Sequence, residues 1–531
     1  MRKVLVANRG EIALRVFRAA RELGLATVAV VAPDDTGSLH ARSADEVIEI
    51  TSYLHSEEHI RAAQQAGADS VHPGYGFLAE NGDFAEAVAA AGLTWIGPSA
   101  ASLRTGGDKL AAKRIATDAG VPTIPESSEP PLIVKAAAGG GGRGMRIVRS
   151  RAAFDDAVAA ARREAQSAFD DDRVYLERYL ERPRHIEIQL LADSHGTVLA
   201  LGERDCSVQR RHQKVLEESP SPGLDPGLRT QMSDAAVRFA RAIDYVGAGT
   251  AEFVLEGREF FFLELNGRIQ VEHPVTEAVT GIDLVQWQLR IARGERLDVQ
   301  PELRGAAVEV RLYAEDPQTF LPQAGRIELL RLPRSIRVEA GVAEGDEIGT
   351  SYDPLIAKLI ASGATRDEAL DRLAVALAET EVAGVTTNLP FLRWLVAHPV
   401  LRAGEATTAF LVEHPPLSPP PADLPDPVWR GAFRLNLDSP AAQPPPDVDA
   451  ERHAHGPAEE SSTIVAPMPG TVIKVNVQVG SAVQARDPLI VLEAMKMETP
   501  LVSPYDATVR AVHVREGDRV AGGAVLVELE D

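Results

Sequence analysis

The amino-acid sequence predicts a chain of α/β and α+β class that ends in an all-β unit. Three observations predict this: strands and helices alternate over roughly the first hundred residues, paired strands follow within 249–266, and a repeat with a constant offset of 37 residues occupies the last segment. The alternation is typical of a doubly wound parallel sheet, and the repeat of a small sandwich. A length of 531 residues favours several domains over one core.

Acidic residues dominate the charge balance. Lys and Arg total 55 against 77 Asp and Glu, which gives a net charge of −22. Such a surface repels phosphate backbones, so we expect no nucleic-acid partner, and an anionic ligand needs a local basic site.

The single cysteine, Cys206, excludes an intramolecular disulfide and fits a reducing cytoplasm. No signal peptide and no apolar run of membrane-spanning length is visible, so we expect a soluble cytoplasmic protein without a membrane contact.

Residues 1–120 are predicted to form the N-terminal βαβ domain with the doubly wound sheet. The stretch KVLVA is a short apolar strand, GEIALRVFRAARELG has helical periodicity and ends at Gly24, and ATVAVVA is a second strand. Further helices are predicted in HSEEHIRAAQQAG, in NGDFAEAVAAAG and around 108–119.

Residues 121–182 form a smaller predicted unit around the glycine-rich stretch GGGGRG at 139–144. Strand-like segments flank it on both sides, so it is no dinucleotide-binding fingerprint, and Met145 stands where a P-loop has lysine. Two interpretations remain: a mobile surface hairpin, or a hairpin whose backbone N–H groups close over phosphates, with Lys135 reaching one phosphate. The entropy cost of four consecutive glycines favours the second.

Residues 183–413 contain a predicted hairpin, AEFVLE and EFFFLELN, with a tight turn at 256–258. This turn places Glu252 opposite Glu264, and two opposed carboxylates repel each other unless a cation lies between them. Asn266 follows on the same face and adds a third oxygen. Because Mg²⁺ prefers hard oxygen ligands, these three residues are candidate metal ligands.

The same alternation predicts that this polar face continues to residue 272. One side of an extended chain then carries Asn266, Arg268, Gln270 and Glu272, and the other Leu263, Leu265, Ile269 and Val271. A solvated strand face is the alternative, but the FFFLEL run indicates burial, and a buried face does not carry such groups without partners. A magnesium–phosphate site with an acid/base group accounts for them.

A cluster of cations lies upstream, in ERDCSVQRRHQK. It comprises Arg204, Arg210, Arg211, His212 and Lys214. Either this is a solvated basic loop, or it is a subsite for an anion.

Residues 414–462 are rich in proline and charge and are predicted to form an extended linker. One apolar patch, VWRGAFRLNL at 428–437, interrupts it. The patch either docks on its own protein or contacts a partner subunit, and the sequence favours neither.

Residues 463–531 contain two matched halves, which predict a β-sandwich with pseudo-two-fold symmetry. Lys496 falls in the connection between the halves, flanked by Met495 and Met497. An exposed lysine is normally only a solubilising charge. Two methionines beside it, however, offer a deformable surface for recognition, so we interpret Lys496 as a covalent attachment point.

The motifs ANRGEIALR, HPGYGFLAEN, KAAAGGGGRGMR, RHIEIQ, ERDCSVQRRHQK, NGRIQVEHPVTE, AEDP and SYDPLIAKLI resemble biotin carboxylase, an ATP-grasp enzyme. EAMKME, within the repeated β unit, resembles the biotin carboxyl carrier domain, which is a biotinyl/lipoyl-type sandwich. The arrangement is similar to the α subunit of bacterial acyl-CoA carboxylases, and the resemblance covers nearly the whole chain except 414–462.

The resemblance implies roles for individual residues. ATP would be bound by Lys109, Lys135, His185, Gln209 and His212, with Glu177 and Leu180 at the adenine and the Gly139–Gly144 hairpin, including Gly140, Gly141 and Gly142, as an ATP-grasp lid. Mg²⁺ or Mn²⁺ would be held by Glu252, Glu264 and Asn266. Bicarbonate would be gripped by Lys214 and Arg268, helped by Gln270 and Val271, and deprotonated by Glu272. Arg268 would also stabilise the biotin enolate, Arg311 would position biotin or bicarbonate, and Lys496 would carry biotin.

The implied reaction uses ATP and bicarbonate to carboxylate biotin through carboxyphosphate. No carboxyltransferase unit is visible before Asp531, so we expect a hetero-oligomer with a carboxyltransferase β subunit, and a biotin protein ligase as a further partner. Which acyl-CoA is carboxylated stays open, because its pocket belongs to that β subunit.

Two departures from the family pattern stand out. Only TIPESSEPPLIV separates GVP at 120–122 from Lys135, where the family has a longer segment with a helix, and Gly267 replaces a common threonine. The shortened lid motivates an alternative, a biotin carrier or scaffold subunit with impaired ATP-grasp activity. A third hypothesis is an ATP-grasp ligase for another acid, joined to a lipoyl domain.

Overall fold

A computed structural model describes residues 1–137, 145–169, 171–210, 213–418, 463–468, 470–494 and 497–530. The N-terminal elements are β1 (Lys3–Val6), α1 (Gly10–Glu22), β2 (Ala26–Val31), α2 (Leu39–Ser43), β3 (Glu46–Glu49), α3 (Ser56–Gln65), β4 (Ser70–His72), α4 (Gly82–Ala90), β5 (Thr94–Trp95), α5 (Ala100–Gly107) and α6 (Lys109–Asp118). The five strands form a parallel sheet of order β3-β2-β1-β4-β5.

Helices cover both faces of this sheet, which confirms the doubly wound prediction. Val4 and Val6 of β1 pack with Val16 of α1, whereas Leu5 packs on the opposite face with Ala62 of α3 and Phe84 of α4. Successive side chains of a strand point to opposite faces, so a strand covered on both sides is apolar throughout. This is why KVLV has no polar alternation.

The predicted lid contains β6 (Leu132–Ala136), β7 (Arg146–Val148), a 3₁₀ turn (Arg151–Ala153), α7 (Phe154–Phe169) and β8 (Val174–Arg178). The strands form an antiparallel sheet of order β7-β6-β8, and α7 packs on it through a small core that includes Leu132, Val134 and Ala161. The segment 119–131, which the structure describes throughout, contains no helix. The described lid therefore has one sheet and one long helix.

The elements of the central region are β9 (Arg184–Ala192), β10 (Val198–Arg210), β11 (Gln213–Ser219), α8 (Pro226–Ala242), β12 (Gly247–Glu256), β13 (Glu259–Asn266), α9 (His273–Thr280), α10 (Leu284–Ala292), β14 (Ala306–Tyr313), β15 (Gly325–Arg326), β16 (Leu329–Arg331), β17 (Arg337–Ala340), β18 (Glu347–Ile348), β19 (Leu355–Gly363), α11 (Arg366–Glu379), β20 (Glu381–Ala383), α12 (Leu389–Ala397), α13 (Pro399–Arg402) and α14 (Phe410–Glu413). Eight strands form one antiparallel sheet of order β13-β12-β9-β10-β11-β14-β19-β17. Two-stranded sheets pair β15 with β18 and β16 with β20.

The predicted hairpin is confirmed as β12 and β13, with Glu252 directly opposite Glu264. The extended chain ends at Asn266, however, and residues 267–272 belong to neither a strand nor a helix before α9 begins at His273. The prediction of strand-like alternation up to Glu272 is therefore wrong. An amphipathic pattern in sequence does not require a strand where the chain leaves the sheet edge.

The C-terminal region contains β21 (Thr463–Val465), β22 (Gly470–Val475), β23 (Ala482–Val483), β24 (Pro488–Ala494), β25 (Met497–Val502), β26 (Ala507–Val512), β27 (Arg519–Val520) and β28 (Val525–Glu530). They form two four-stranded sheets, β21-β28-β26-β23 and β25-β24-β22-β27. The strands β26, β27 and β28 begin 37 residues after β22, β23 and β24, as the repeat predicts. Each sheet combines strands from both halves, so neither half buries its apolar face alone.

No helix within the described ranges is both long enough and apolar enough to cross a membrane.

Candidate active site

A cavity of about 350 Å³ lies between the lid sheet and the eight-stranded sheet. It is lined by Lys109, Lys135, Met145, Tyr175, His185, Gln209, Gln213, Lys214, Glu252, Leu263, Glu264, Asn266, Arg268, Gln270, Val271, Glu272 and Arg311. These residues come from α6, the lid, strands β9 to β14 and the loop 267–272. The cavity therefore collects polar groups from parts of the chain that are far apart in sequence.

Most of the predicted site residues lie on this wall. Lys109, Lys135, His185, Gln209, Lys214, Glu252, Glu264, Asn266, Arg268, Gln270, Val271, Glu272 and Arg311 line the cavity together. Gly140, Gly141, Gly142, His212 and Lys496 lie outside the described residues, as does the patch 428–437. Met145, Tyr175, Gln213 and Leu263 line the cavity as well, although the sequence reasoning gave them no role there.

Glu177 and Leu180, which the resemblance places at the adenine, do not line this cavity. Glu177 accepts hydrogen bonds at 2.7 Å from Lys113 of α6 and at 2.7 Å from Lys135 of β6. It therefore ties the lid to the body of the molecule. Leu180 is buried in a small apolar cluster with Ile124.

A row of carboxylates crosses three adjacent strands, and two of its members, Glu252 and Glu264, line the cavity. Glu187 of β9, Glu252 of β12 and Glu264 of β13 stand side by side in the strand register. Like charges directly opposed on a sheet destabilise it unless cations compensate. The compensation comes from Lys214, whose ammonium group lies 2.5 Å from Glu187 and 2.8 Å from Glu252.

Lys214 also reaches the candidate base, with its Nζ 2.6 Å from Glu272. Burial lowers the pKa of Lys214, but Glu187, Glu252 and Glu272 outweigh it and hold the pKa well above its ordinary value. The group is therefore a permanent cation at neutral pH, surrounded by three carboxylates.

Glu272 is held between cations. Burial raises its pKa, but Lys214, Arg311 and Arg204 together keep the pKa of this carboxyl far below its usual range. Arg311 lies 3.1 Å from Glu272 and 2.5 Å from Glu217. Glu272 is consequently ionised at neutral pH, and it lies against the Lys214 ammonium group on the cavity wall.

Arg268 is held by a residue that the sequence reasoning missed. Its Nε lies 3.0 Å from the carboxylate of Glu80, which also accepts from the backbone N–H of Gly267 at 3.2 Å. A second guanidinium nitrogen donates to the Asn266 side-chain carbonyl at 2.9 Å. Glu80 lies in the quoted motif HPGYGFLAEN, but nothing in its spacing pointed to Arg268.

The cations of ERDCSVQRRHQK lie in different environments, so neither a solvated loop nor an anion subsite describes all of the described ones. Arg204 is fully buried on β10, where it donates to Glu187, Gln189 and Thr276. Arg210, also buried, pairs with Glu315. Both lie in the strand Val198–Arg210 and not in a loop, so the interpretation as a solvated basic loop is wrong for these two residues. Of the described cations in this stretch, Lys214 lines the cavity.

The donors at Glu252, Glu264 and Asn266 fit a hard divalent cation. Within the described residues Glu264 makes no hydrogen bond or ion pair, and the side-chain nitrogen of Asn266 is buried without a partner. Burial and the neighbouring Glu252 raise the pKa of Glu264, which a cation between the two carboxylates would reverse. His185, Glu187 and Glu252 also come close together, but Glu187 is already occupied by Arg204 and Lys214. Glu252 belongs to both sets and pairs with Lys214 in either, so it is Glu264, without a partner among the described residues, that makes the oxygen set the better cation site.

A second cavity of about 250 Å³ adjoins the first. The two cavities share Gln213, Arg268, Val271 and Arg311, and the second extends to Tyr75, Arg9 and Tyr352. A ligand in the second cavity would thus meet the same guanidinium groups as an anion in the first.

The sequence matches four family descriptions along nearly its whole length. They are "Biotin carboxylase, N-terminal domain" over 1–103, "Carbamoyl-phosphate synthase L chain, ATP binding domain" over 108–300, "Biotin carboxylase C-terminal domain" over 309–413 and "Biotin-requiring enzyme" over 462–529.

Curated relatives agree with these matches. The biotin carboxylase of Halalkalibacterium halodurans is 48% identical over 441 residues, which cover 78% of this chain and 98% of the relative. The biotin-dependent acyl-coenzyme A carboxylase alpha3 subunit of Mycobacterium leprae is 40% identical over 589 residues. The match covers 99% of this chain and 98% of the relative. The methylcrotonoyl-CoA carboxylase subunit alpha of Rattus norvegicus is 44% identical, but the chain covers only 62% of it.

One similar solved structure is the biotin carboxylase domain of 2-oxoglutarate carboxylase from Hydrogenobacter thermophilus, in complex with MgADP, ADP and bicarbonate. Its TM-score with this chain is 0.76 at 43% identity, and the match covers 78% of this chain and 98% of that one. The fold, the polar cavity and the sequence matches agree. The chain belongs to the biotin carboxylase family and carries a biotin carrier domain on the same polypeptide, as acyl-CoA carboxylase α subunits do.

Proposed function

We propose that this enzyme uses ATP and bicarbonate to carboxylate biotin attached to Lys496 of its own carrier domain. The contact of Lys214 with Glu272 at 2.6 Å carries this proposal, because it places an ionised base beside a cation in a cavity that also holds Lys109 and Lys135. One anion can therefore be bound, deprotonated and brought to a phosphate in the same space.

Lys135 and Lys109 both line the cavity and come from different elements. Lys135 stands on the lid strand β6, and Lys109 is the first residue of α6. Two lysines so placed neutralise the charge of a triphosphate, which an acidic protein needs to bind ATP at all. Gly140, Gly141 and Gly142 belong to the proposed lid, and His185, Gln209 and His212 complete the proposed nucleotide site.

Bicarbonate is proposed to bind between Lys214 and Arg268, with Gln270 and the backbone of Val271 beside it. Its negative charge offsets part of the field that keeps the pKa of Glu272 low, so Glu272 becomes a better base when the anion is bound. Glu272 takes the bicarbonate proton, a bicarbonate oxygen forms a bond to the γ-phosphorus of ATP, and the bond to ADP breaks. Arg268, which Glu80 holds on the cavity wall, would face the developing charge.

The residues Glu252, Glu264 and Asn266 would hold Mg²⁺ or Mn²⁺, which supplies charge neutralisation at the phosphates. Biotin, when attached, supplies the ureido nitrogen that accepts the carboxyl group. The match of 462–529 to a biotin-requiring domain supports Lys496 as the attachment site, for which a biotin protein ligase is the proposed modifying partner. The second cavity, with Arg311 and Arg268 on its wall, is the proposed place for the ring.

The proposal also includes an assembly with a second subunit. The similarity to acyl-CoA carboxylase α subunits supports a hetero-oligomer with a carboxyltransferase β subunit, which would transfer the carboxyl group to acyl-CoA. A chain with a single cysteine suits the reducing cytoplasm, where we place it.

The test is ATP cleavage by the purified chain with and without bicarbonate and free biotin. We expect turnover that requires bicarbonate, and a loss of about 10²-fold or more in kcat for Glu272→Gln. Absence of turnover at saturating ATP would overturn the proposal.

That result would favour the second candidate, a carrier or scaffold subunit without ATP-grasp activity. One observation supports this alternative: the segment 119–131 between α6 and the lid contains no helix, which shortens the support of the lid. A chain that carries biotin but cleaves no ATP would match it. Lipoate, detected by mass spectrometry of the intact protein, would indicate the third hypothesis.

A further inference from the structure

Lys358 is a buried lysine that the proposed reaction does not use. It lies on β19, directly opposite Arg311 of β14, and its side chain is 0% exposed. Taking an ammonium group out of water is unfavourable unless partners replace the water. A lysine buried this completely must therefore be stabilised by the groups that it contacts.

Two partners from distant parts of the chain hold this ammonium group. The carboxylate of Glu11, in the first turn of α1, lies 3.0 Å from the Lys358 Nζ. The backbone oxygen of Val271 accepts from the same nitrogen at 2.9 Å. Glu11 also accepts a hydrogen bond from the hydroxyl of Tyr75. The N-terminal unit, the large sheet and the loop 267–272 therefore meet at one atom.

The oxygen that Lys358 holds belongs to the peptide group between Val271 and Glu272. Since the loop 267–272 belongs to no strand or helix, no ladder of backbone hydrogen bonds fixes this peptide. The adjacent turn is held by other hydrogen bonds: the backbone oxygen of Gln270 lies 2.7 Å from the ring of His273 and accepts from its backbone N–H at 3.3 Å, and the oxygen of Glu272 accepts from the N–H of Val275 at 3.2 Å. A peptide group is planar, so a bond to its oxygen also fixes the direction of the Glu272 N–H.

We propose that Lys358 is a positioning residue for bicarbonate. Anchored by Glu11, it orients the backbone at Val271 and Glu272, so that the Val271 backbone and the Glu272 carboxylate face the anion together. This inference rests on the proposed function, which assigns bicarbonate to those two residues. It adds a condition to that function, namely that the N-terminal unit must be docked for the anion site to form.

A purely structural role is the competing explanation, because Lys358→Met leaves Glu11 as an unpaired buried carboxylate, which destabilises the fold. The double variant Glu11→Gln with Lys358→Met separates the two roles. It removes the uncompensated charge and so restores stability, but it leaves the oxygen of Val271 without its donor. Lys3→Met is the matched control, since it removes an ion pair of the same 3.0 Å length, to Glu46, far from the cavity.

The measurements are the KM for bicarbonate, the KM for ATP and the midpoint of thermal unfolding in the full biotinylated chain. We expect the double variant to melt close to wild type, to show a KM for bicarbonate raised about tenfold or more, and to keep its KM for ATP within about twofold. Lys3→Met should change neither KM. A double variant with wild-type KM for bicarbonate would overturn the inference. If wild type itself shows no bicarbonate-dependent turnover, the proposed function fails, and this inference fails with it.

Discussion

Glu217 and Glu309 lie directly opposite each other on the adjacent antiparallel strands β11 and β14, and both are completely buried. Arg311 binds Glu217, whereas neither carboxyl oxygen of Glu309 has a hydrogen-bond partner among the described residues. Two ionised carboxylates side by side in an interior without water repel each other strongly, which favours protonation of one of them. Burial raises the pKa of both carboxyls, and Arg311 opposes this at Glu217, so we expect Glu309 to hold the proton of the pair.

Substitution of Glu309 tests this charge state. Burial first, and then the charge of Glu217, raises the pKa of Glu309 well above its usual value. An acid with a raised folded-state pKa contributes stability below its unfolded pKa, near 4.3, and that stability is lost as the pH rises through the folded pKa. We expect Glu309→Gln to weaken this loss, and at pH 8 to unfold with a free energy equal to or above that of wild type.

The measurement is chemical denaturation of both proteins between pH 5 and pH 8. Glu302→Gln, at an exposed surface pair with Arg304, is the control and should stay within about 0.5 kcal/mol of wild type. A Glu309→Gln protein that loses several kcal/mol at pH 8 would show that an ionised Glu309 is required.

The second prediction concerns the opposed carboxylates Glu252 and Glu264. Without a divalent cation, Glu264→Gln should be more stable than wild type, because it removes the repulsion between them. With Mg²⁺ the order should reverse, since wild type gains binding energy that the variant lacks. Thermal unfolding with Mg²⁺ and with a chelator measures both. Equal Mg²⁺ stabilisation of the two proteins would remove Glu264 from the metal site.

The third prediction concerns the lid. Glu177 joins Lys113 of the body to Lys135 of the lid, each at 2.7 Å. Lys113→Met removes one of these charge-assisted hydrogen bonds, worth roughly 1–2 kcal/mol, so the KM for ATP should rise several-fold to about tenfold while kcat changes little. Arg114→Met, on the neighbouring residue of α6, is the control. A decrease in kcat with an unchanged KM for ATP would contradict a lid-clamping role.

The fourth prediction concerns the carrier domain. Lys496→Arg keeps the charge but removes the amine that forms the amide with biotin, so the variant should carry no biotin. Binding of streptavidin after denaturation measures this directly. Cleavage of ATP with free biotin should persist in the variant, because none of the residues of the cavity changes. Retained streptavidin binding would refute Lys496 as the attachment site.

Much of the fold follows from local sequence patterns. The apolar strand KVLV, the helix 10–22 and the repeat offset of 37 residues appear in the structure where the sequence predicts them. The facing pair Glu252 and Glu264 was also predictable, because a tight turn determines which residues of a hairpin lie opposite each other. The strand, the helix and the hairpin register depend on residues close in sequence, and the repeat is a similarity of the sequence to itself, so a single sequence records all of them.

Long-range pairing was beyond that reasoning. Nothing in the local pattern of HPGYGFLAEN links Glu80 to Arg268, and nothing in SYDPLIAKLI links Lys358 to Glu11. Arg204 was misplaced for the same reason, since a basic stretch is normally solvated, yet a facing glutamate and several amide and hydroxyl groups make burial possible.

The sequence alone thus determined which elements form and which residue types carry the chemistry, because periodicity, turns and motifs are local properties. The tertiary structure decided which charge meets which. It ended the polar strand at Asn266, directed Lys214 to three carboxylates, and joined three parts of the chain at Lys358. In a buried site the pKa of each carboxyl depends on its burial and on the charges around it, and only the folded chain determines both.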